Sequence, residues 1–165
     1  MSLERAEATT ERFRLAGERG DADLAVSTMA EDVVLRSPLT ERGTFSGKES
    51  VREIFEAGFS SISDIRFHTD IGDDRQRALF YRGRVGDVAI EECSLVRLDD
   101  NAQIAEVTLF IRPLPGITAV MGAIGPKIAR RYGKPRMAVL LSVLTKPLRL
   151  MVGSGDKLAA RVLKR

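Results

Sequence analysis

The sequence predicts an α+β domain in which helices cover one face of a curled antiparallel sheet. Three observations carry that expectation. Apolar residues recur at helical spacing as far as about Phe59, and at every second position from Ile65 onward. Gly- and Asp-rich turns separate the alternating stretches, so consecutive strands fold back as hairpins. After Pro113 and Pro115 the alternation stops and a long run without a strand period begins.

In chain order, residues 3–18 are strong helix formers that end at Gly20, a stop signal. Asp21 is placed to cap a short helix running through Met29. Residues 33–37 read as a strand closed by Pro38, and residues 40–46 as a polar loop. Gly47 opens a third helix over 48–59, with Val51, Ile54, Phe55 and Gly58 on one stripe. Ile65, Phe67, Thr69 and Ile71 then alternate with Arg66, His68 and Asp70. Turns at Gly72, Asp73 and Asp74, at Gly86 and Asp87, and at Asp99, Asp100 and Asn101 separate this strand from three more, over 78–85, 88–98 and 103–112. In the tail, residues 117–132, 135–152 and 156–165 read as helical segments broken by Pro126, Pro147 and a hinge at Gly153, Ser154 and Gly155.

A chain of 165 residues is long enough for one domain with a proper core, and 44% apolar with 30% charged residues is a globular balance. The single cysteine, Cys93, excludes an internal disulfide. With one histidine, His68, only carboxylates could form a metal site, and Asp73, Asp74, Asp99 and Asp100 fall in turns. No metal and no cofactor are therefore expected. The charged N-terminus lacks the apolar core of a signal peptide, and no window reaches the roughly 18 apolar residues of a membrane span. A soluble, cytoplasmic protein is the expectation.

The net charge of +3 conceals a division. Residues 1–115 carry 15 Lys and Arg against 22 Asp and Glu, a net of −7; residues 116–165 carry 11 against Asp156 alone, a net of +10. The expected organisation is an acidic folded body over 1–115 and a basic helical extension over 116–165.

The order of helix, Gly20-Asp21-Ala22-Asp23, helix, Ala30-Glu31-Asp32-Val33, Phe45-Ser46-Gly47-Lys48 and a meander ending in Phe110-Ile111-Arg112-Pro113 resembles the nuclear transport factor two-like superfamily, in particular its SnoaL-like members. The resemblance covers roughly residues 8–115. It implies a cone-shaped, barrel-like curved antiparallel sheet wrapped around three N-terminal helices, leaving a deep pocket. It implies no one activity, because that fold hosts isomerases, dehydratases, epoxide hydrolases, cyclases and binding proteins. Segment by segment, the tyrosine, base and acid of the steroid isomerases fall on Phe13, Ser37 and Ser94, and the acidic residue of SnoaL-like cyclases falls on Ser94 again. None of the three supplies the required group. The epoxide-hydrolase set fails too, since Arg82 and Arg84 have no carboxylate two residues on. The dehydratase type needs histidine, and His68 alternates onto the wet face.

If Ser94 points inward, period two also points Ile90, Glu92, Val96 and Leu98 inward, with Val107, Leu109 and Ile111 opposite them. Phe13, Phe45, Phe55, Phe59 and Phe67 add a bulky lining, and Tyr81 shares a face with Leu79. These residues either line a pocket for a small apolar or polycyclic molecule or simply fill the core. Ser37 and Ser94 would be its polar points. Glu92 is the one carboxylate on the apolar face. Burial would raise its pKa toward the range of a general base, with Tyr81 as hydrogen-bond donor; the alternative is a structural carboxylate satisfied by Tyr81 or water. Cys93 faces the other way and reads as a packed residue.

Three functions therefore stand open. One is a ligand-binding SnoaL-like protein, and another a cofactor-independent isomerase, cyclase or hydrolase working through Glu92. The third is an interaction module docking through its basic C-terminal helices. The tail's leucines and valines, Val139, Leu140, Val143, Leu144 and Leu148, are expected to pack on the sheet or across a homodimer. The alternative is a segment, residues 127–165, lying on an anionic membrane surface. Nucleic-acid binding is not expected, since Tyr132 is the tail's only aromatic residue.

Overall fold

A computed structural model of the chain describes residues 2–40 and 44–163. The elements are α1 (Leu3–Arg19), α2 (Ala22–Ser27), β1 (Met29–Arg36), β2 (Thr44–Ser46), α3 (Lys48–Phe59), β3 (Ser63–Gly72), β4 (Gln76–Val85), β5 (Val88–Leu98), β6 (Ile104–Arg112), α4 (Leu114–Arg131) and α5 (Pro135–Leu163). Six strands form one open sheet in the order β2-β1-β6-β5-β4-β3, curved around α1, α2 and α3. This is the α+β cone with a helical extension that the sequence predicts.

Local chemistry sets the entry to the sheet. Gly20 takes the left-handed conformation, φ 69°, that ends α1, and its N–H returns to the last-turn carbonyls. The Asp21 carboxylate then accepts from Leu24 N at 2.9 Å and caps α2. The β5–β6 hairpin has the expected register. Across β5 and β6, Glu92 faces Ile111, Ser94 faces Leu109 and Val96 faces Val107. Asp99 Oδ1 fixes their turn by accepting from the N–H groups of Asn101 and Gln103.

The structure departs from the sequence reading in four places. First, β1 starts at Met29, where the short helix was expected to end, and it pairs in parallel with β6, so the antiparallel sheet contains one parallel junction. Second, the expected polar loop ends in a strand, β2, paired with β1; residues 41–43 of that loop lie outside the described residues. Third, a bulge between Phe67 and Thr69 reverses the alternation of β3. Asp70 therefore turns inward, accepting from Thr10 Oγ1 at 2.7 Å and from the buried Arg77 Nε at 2.8 Å, while Ile71 is left exposed.

The fourth difference is the tail. Pro126 lies inside α4, and Pro147 with the Gly153 to Gly155 stretch lies inside a single long α5. The third expected segment is thus the end of α5; residues 164 and 165 lie outside the described residues. Nor do the five apolar residues singled out in α5 pack on the sheet, although Val120 and Ile124 of α4 do. Helix α5 lies along α4 through Ala138, Leu141 and Thr145, whereas Val139, Leu140, Val143 and Leu144 remain exposed and Leu148 is half-buried.

Two apolar clusters make the core. One joins α1, α2 and α3 to the sheet through Phe13, Met29, Leu35, Val51, Leu79 and Ile104. The other joins Ile62, Ile65, Tyr81 and Ile90 to Val120 and Ile124 of α4. Each fully buried aliphatic side chain contributes about 1.5–3 kcal/mol. Lys127 Nζ donates to Ser60 O at 2.9 Å, tying α4 down where α3 ends.

Candidate functional site

The pleat of β5 aims Ile90, Glu92, Ser94, Val96 and Leu98 into the cone, and β4 aims Leu79 and Tyr81 beside them. Between these strands and the helices lies a cavity of about 100 Å³. Phe13 reaches it from α1, Ser37 from the end of β1, Phe45 from β2, Phe55 and Phe59 from α3, and Phe67 from β3. Tyr81, Glu92, Ser94, Leu109 and Ile111 complete the sheet side. The aromatic wall is interlocked. Phe13 meets Phe55 edge-on at 5.7 Å between centroids, Phe55 stacks on Phe59 at 5.5 Å, and Phe67 tilts against Tyr81 at 5.2 Å.

Of the residues singled out from the sequence, Val96 and Val107 do not border the cavity. Both are fully buried beneath it in the core. The positions that the family resemblance assigned to chemistry, Phe13, Ser37 and Ser94, all do border it, so the departures from that pattern sit on one site. Sequence reasoning missed the fourth wall. Val120, Ile124 and Ile128 of α4 close the cavity, together with Pro38 and Leu39. Their spacing of four was visible, but it lay in a segment read as an appendage.

Glu92 is the chemical centre. It is 6% exposed and has two hydroxyl donors: Tyr81 Oη donates a hydrogen bond to Oε2 at 2.9 Å, and Ser94 Oγ donates to Oε1 at 3.2 Å. Tyr81 is its direct cross-strand partner and Ser94 the next residue on the same face, so the pleat alone assembles the group. Burial pushes the carboxyl up from its ordinary 4.5 to about 7, against the opposing pull of the two hydroxyls. Burial, and then the neighbouring carboxylate, hold Tyr81 well above the usual phenol range.

The remaining polar candidates lie on the outer face. His68, Arg82 and Arg112 surround Glu91, and the Arg112 guanidinium holds that carboxyl below its ordinary value. Burial pushes the half-buried Cys93 thiol up, which disfavours a nucleophilic thiolate. Among the described residues, no three His, Cys, Asp or Glu side chains gather where they could hold a metal ion.

A carboxyl balanced near neutrality, aimed into an apolar space, can accept a proton from a bound molecule or return one. Tyr81 has a single hydroxyl hydrogen, which it donates in the hydrogen bond to Glu92. Its arrangement positions the carboxyl, and the protonated form of Glu92 is then the donor that faces a ligand atom.

The family description for the SnoaL-like domain matches residues 10–107. No curated protein matches. Among solved structures, a steroid delta-isomerase from Pseudomonas aeruginosa is 24% identical with a TM-score of 0.71, the match covering 78% of this chain and 95% of that one. An uncharacterised protein with a cystatin-like fold from Silicibacter pomeroyi is 23% identical, also at 0.71, over 79% and 93%. The epoxide hydrolase/cyclase-like enzyme SalBIII, described as acting in pyran ring formation in the polyether salinomycin, is 14% identical at 0.55, over 66% and 92%. At these identities the likeness is one of fold.

Proposed function

The chain belongs to the SnoaL-like domain family, and we propose that it binds a compact, largely apolar molecule in the cavity beneath α4, with the ligand's one polar atom against Glu92. The observation that carries this reading is a buried carboxyl, already supplied with two hydroxyl donors, facing an otherwise apolar space. A volume of about 100 Å³ is below the roughly 300–1,000 Å³ of pockets for drug-sized ligands. It suits a single small ring; a polycyclic molecule would require α4 or the Pro38–Leu39 loop to move. Phe80, Cys93 and Phe110 on the outer sheet face support a homodimer joined through that face, and sedimentation velocity reads it directly.

Native mass spectrometry of protein from its source cells should reveal a retained small molecule. Ligand-observed NMR with phenol, indole and cyclohexenone should detect millimolar or tighter binding that Ser94→Phe abolishes. No retained mass together with no probe binding would overturn the reading.

A second reading follows from the carboxyl's balance near neutrality: Glu92 moves a proton within the bound molecule, as in isomerisation or cyclisation. The activities named for the Pseudomonas isomerase and for SalBIII support that class. Glu92→Gln keeps the shape and removes the basicity, so turnover should vanish while probe affinity stays within about threefold. Undiminished turnover in that variant would remove the proton-transfer role and leave binding alone.

A further inference from the structure

Helix α5 has two faces of different character. Ala138, Leu141 and Thr145 pack on α4, where Gly122 and Gly125 allow close approach. The opposite face carries Val139, Leu140, Val143, Leu144, Leu150 and Met151, from 48% to 73% exposed. Leu158 and Val162 extend the same side toward the helix end. Positions 139, 140, 143, 144, 150 and 151 fall on one side of the helix at 100° per residue, so they form one apolar face over about three turns. A stripe of this length is not a scatter of ordinary surface leucines.

Charge selects what covers it. Residues 116–165 contain one acid, Asp156, against 11 Lys and Arg. Arg130, Lys134, Arg136, Lys146, Arg149 and Arg161 form no ion pair with any described residue. A second copy of the same face would bring cations against cations. A neutral apolar groove would leave them without partners. A surface carrying negative charge over an apolar interior satisfies both the stripe and its flanks, and that is an anionic lipid bilayer. Pro135–Asp156, 22 residues of mean hydropathy 1.4, is long and apolar enough to cross a bilayer. Lys146 and Arg149 fall in the middle of that stretch, however, and the Ala138 stripe is occupied by α4, so the helix lies along the surface.

We propose that α5 is a membrane-docking helix. It inserts the Leu140, Val143, Leu144, Leu150 and Met151 face between lipid headgroups of an anionic bilayer, with Lys134, Arg136 and Lys146 against the phosphates. This inference is independent of what the cavity binds.

The full chain is mixed with vesicles of phosphatidylcholine alone, or with 30% phosphatidylglycerol by mole (a chosen condition, on the order of a cellular anionic fraction), and floated on a density gradient. Co-flotation with the anionic vesicles is expected at low salt. It should fall at least about tenfold in high salt, since screening shortens the reach of the cations. The triple change Lys134→Gln, Arg136→Gln and Lys146→Gln should weaken binding on the order of a hundredfold, and Leu144→Glu with Met151→Glu should abolish it. All these side chains are exposed, and an unchanged circular dichroism spectrum checks that the variants fold. Two results would overturn the proposal. One is no binding to anionic vesicles at low salt. The other is a solution dimer, dissolved by Leu144→Glu, that forms whether or not lipid is present; that would assign the face to a second copy.

Discussion

Glu92→Gln tests the electrostatics of the site without any knowledge of the ligand. In the unfolded chain a glutamate has its ordinary value of 4.5, whereas in the folded protein Glu92 titrates at about 7. Its folded value is raised, so the folded state holds the proton more tightly. The stabilisation is fully present below pH 4.5 and is lost as pH rises through 7. A rise from 4.5 to about 7 corresponds to about 3 kcal/mol. The substitution removes the titrating charge while its amide oxygen still accepts from Tyr81. Urea midpoints measured from pH 4 to 8.5 for both proteins should therefore diverge with rising pH. Relative to wild type, the variant should gain on the order of 3 kcal/mol between pH 4.5 and 8. Other carboxylates with lowered values, Glu91 and Glu106 among them, contribute the opposite slope at lower pH, but equally in both proteins. A difference curve that stays flat across pH 4.5–8 would refute the buried, hydroxyl-bound carboxyl as the site's charge.

Three further outcomes follow from the packing. Arg77→Met leaves the Asp70 carboxylate buried without its cation and should destabilise by about 3 kcal/mol in urea, and Asp70→Asn in the same chain should recover part of the loss. Gly72→Ala should cost several kcal/mol, on the order of 3, because φ is 151° and a Cβ would stand 2.1 Å from Gln76 O, across the β3–β4 turn; an unchanged melting temperature would contradict that geometry. Ile124→Ala removes a buried wall residue at about 2–4 kcal/mol and should let the cavity accept a larger ring, which probe-binding NMR reads as tighter binding of naphthol than of phenol.

What could be read from the sequence followed from period and from turn chemistry. The inward set on β5 is fixed by strict alternation. The Asp21 cap and the Asp99 turn announce themselves because their side chains must satisfy nearby N–H groups. The bulge at His68 left no such mark. Arg66, His68 and Asp70 are all polar, so the pattern looks the same whether or not the register slips, and only Thr10 and Arg77, distant in sequence, reveal which way Asp70 points. The tail was misjudged for a related reason. Proline and glycine read as breaks because they cost a helix hydrogen bond or chain entropy, yet Pro147 sits on the exposed side of α5, away from α4, where its ring displaces no packed residue. The α4 wall of the cavity needed the tertiary fold, because helical spacing alone does not say what a stripe faces.

Helix α4 is a partition with an occupant on each side. Val120, Ile124 and Ile128 border the cavity; Gly122 and Gly125, between them in sequence, seat Thr145 and Leu141 of α5. By reciprocity, any load on α5 that changes the free energy of filling the cavity is matched by an equal change in α5's affinity for that load when the cavity is filled. Such a coupling would make the filling of a space inside the cone readable at its outermost helix.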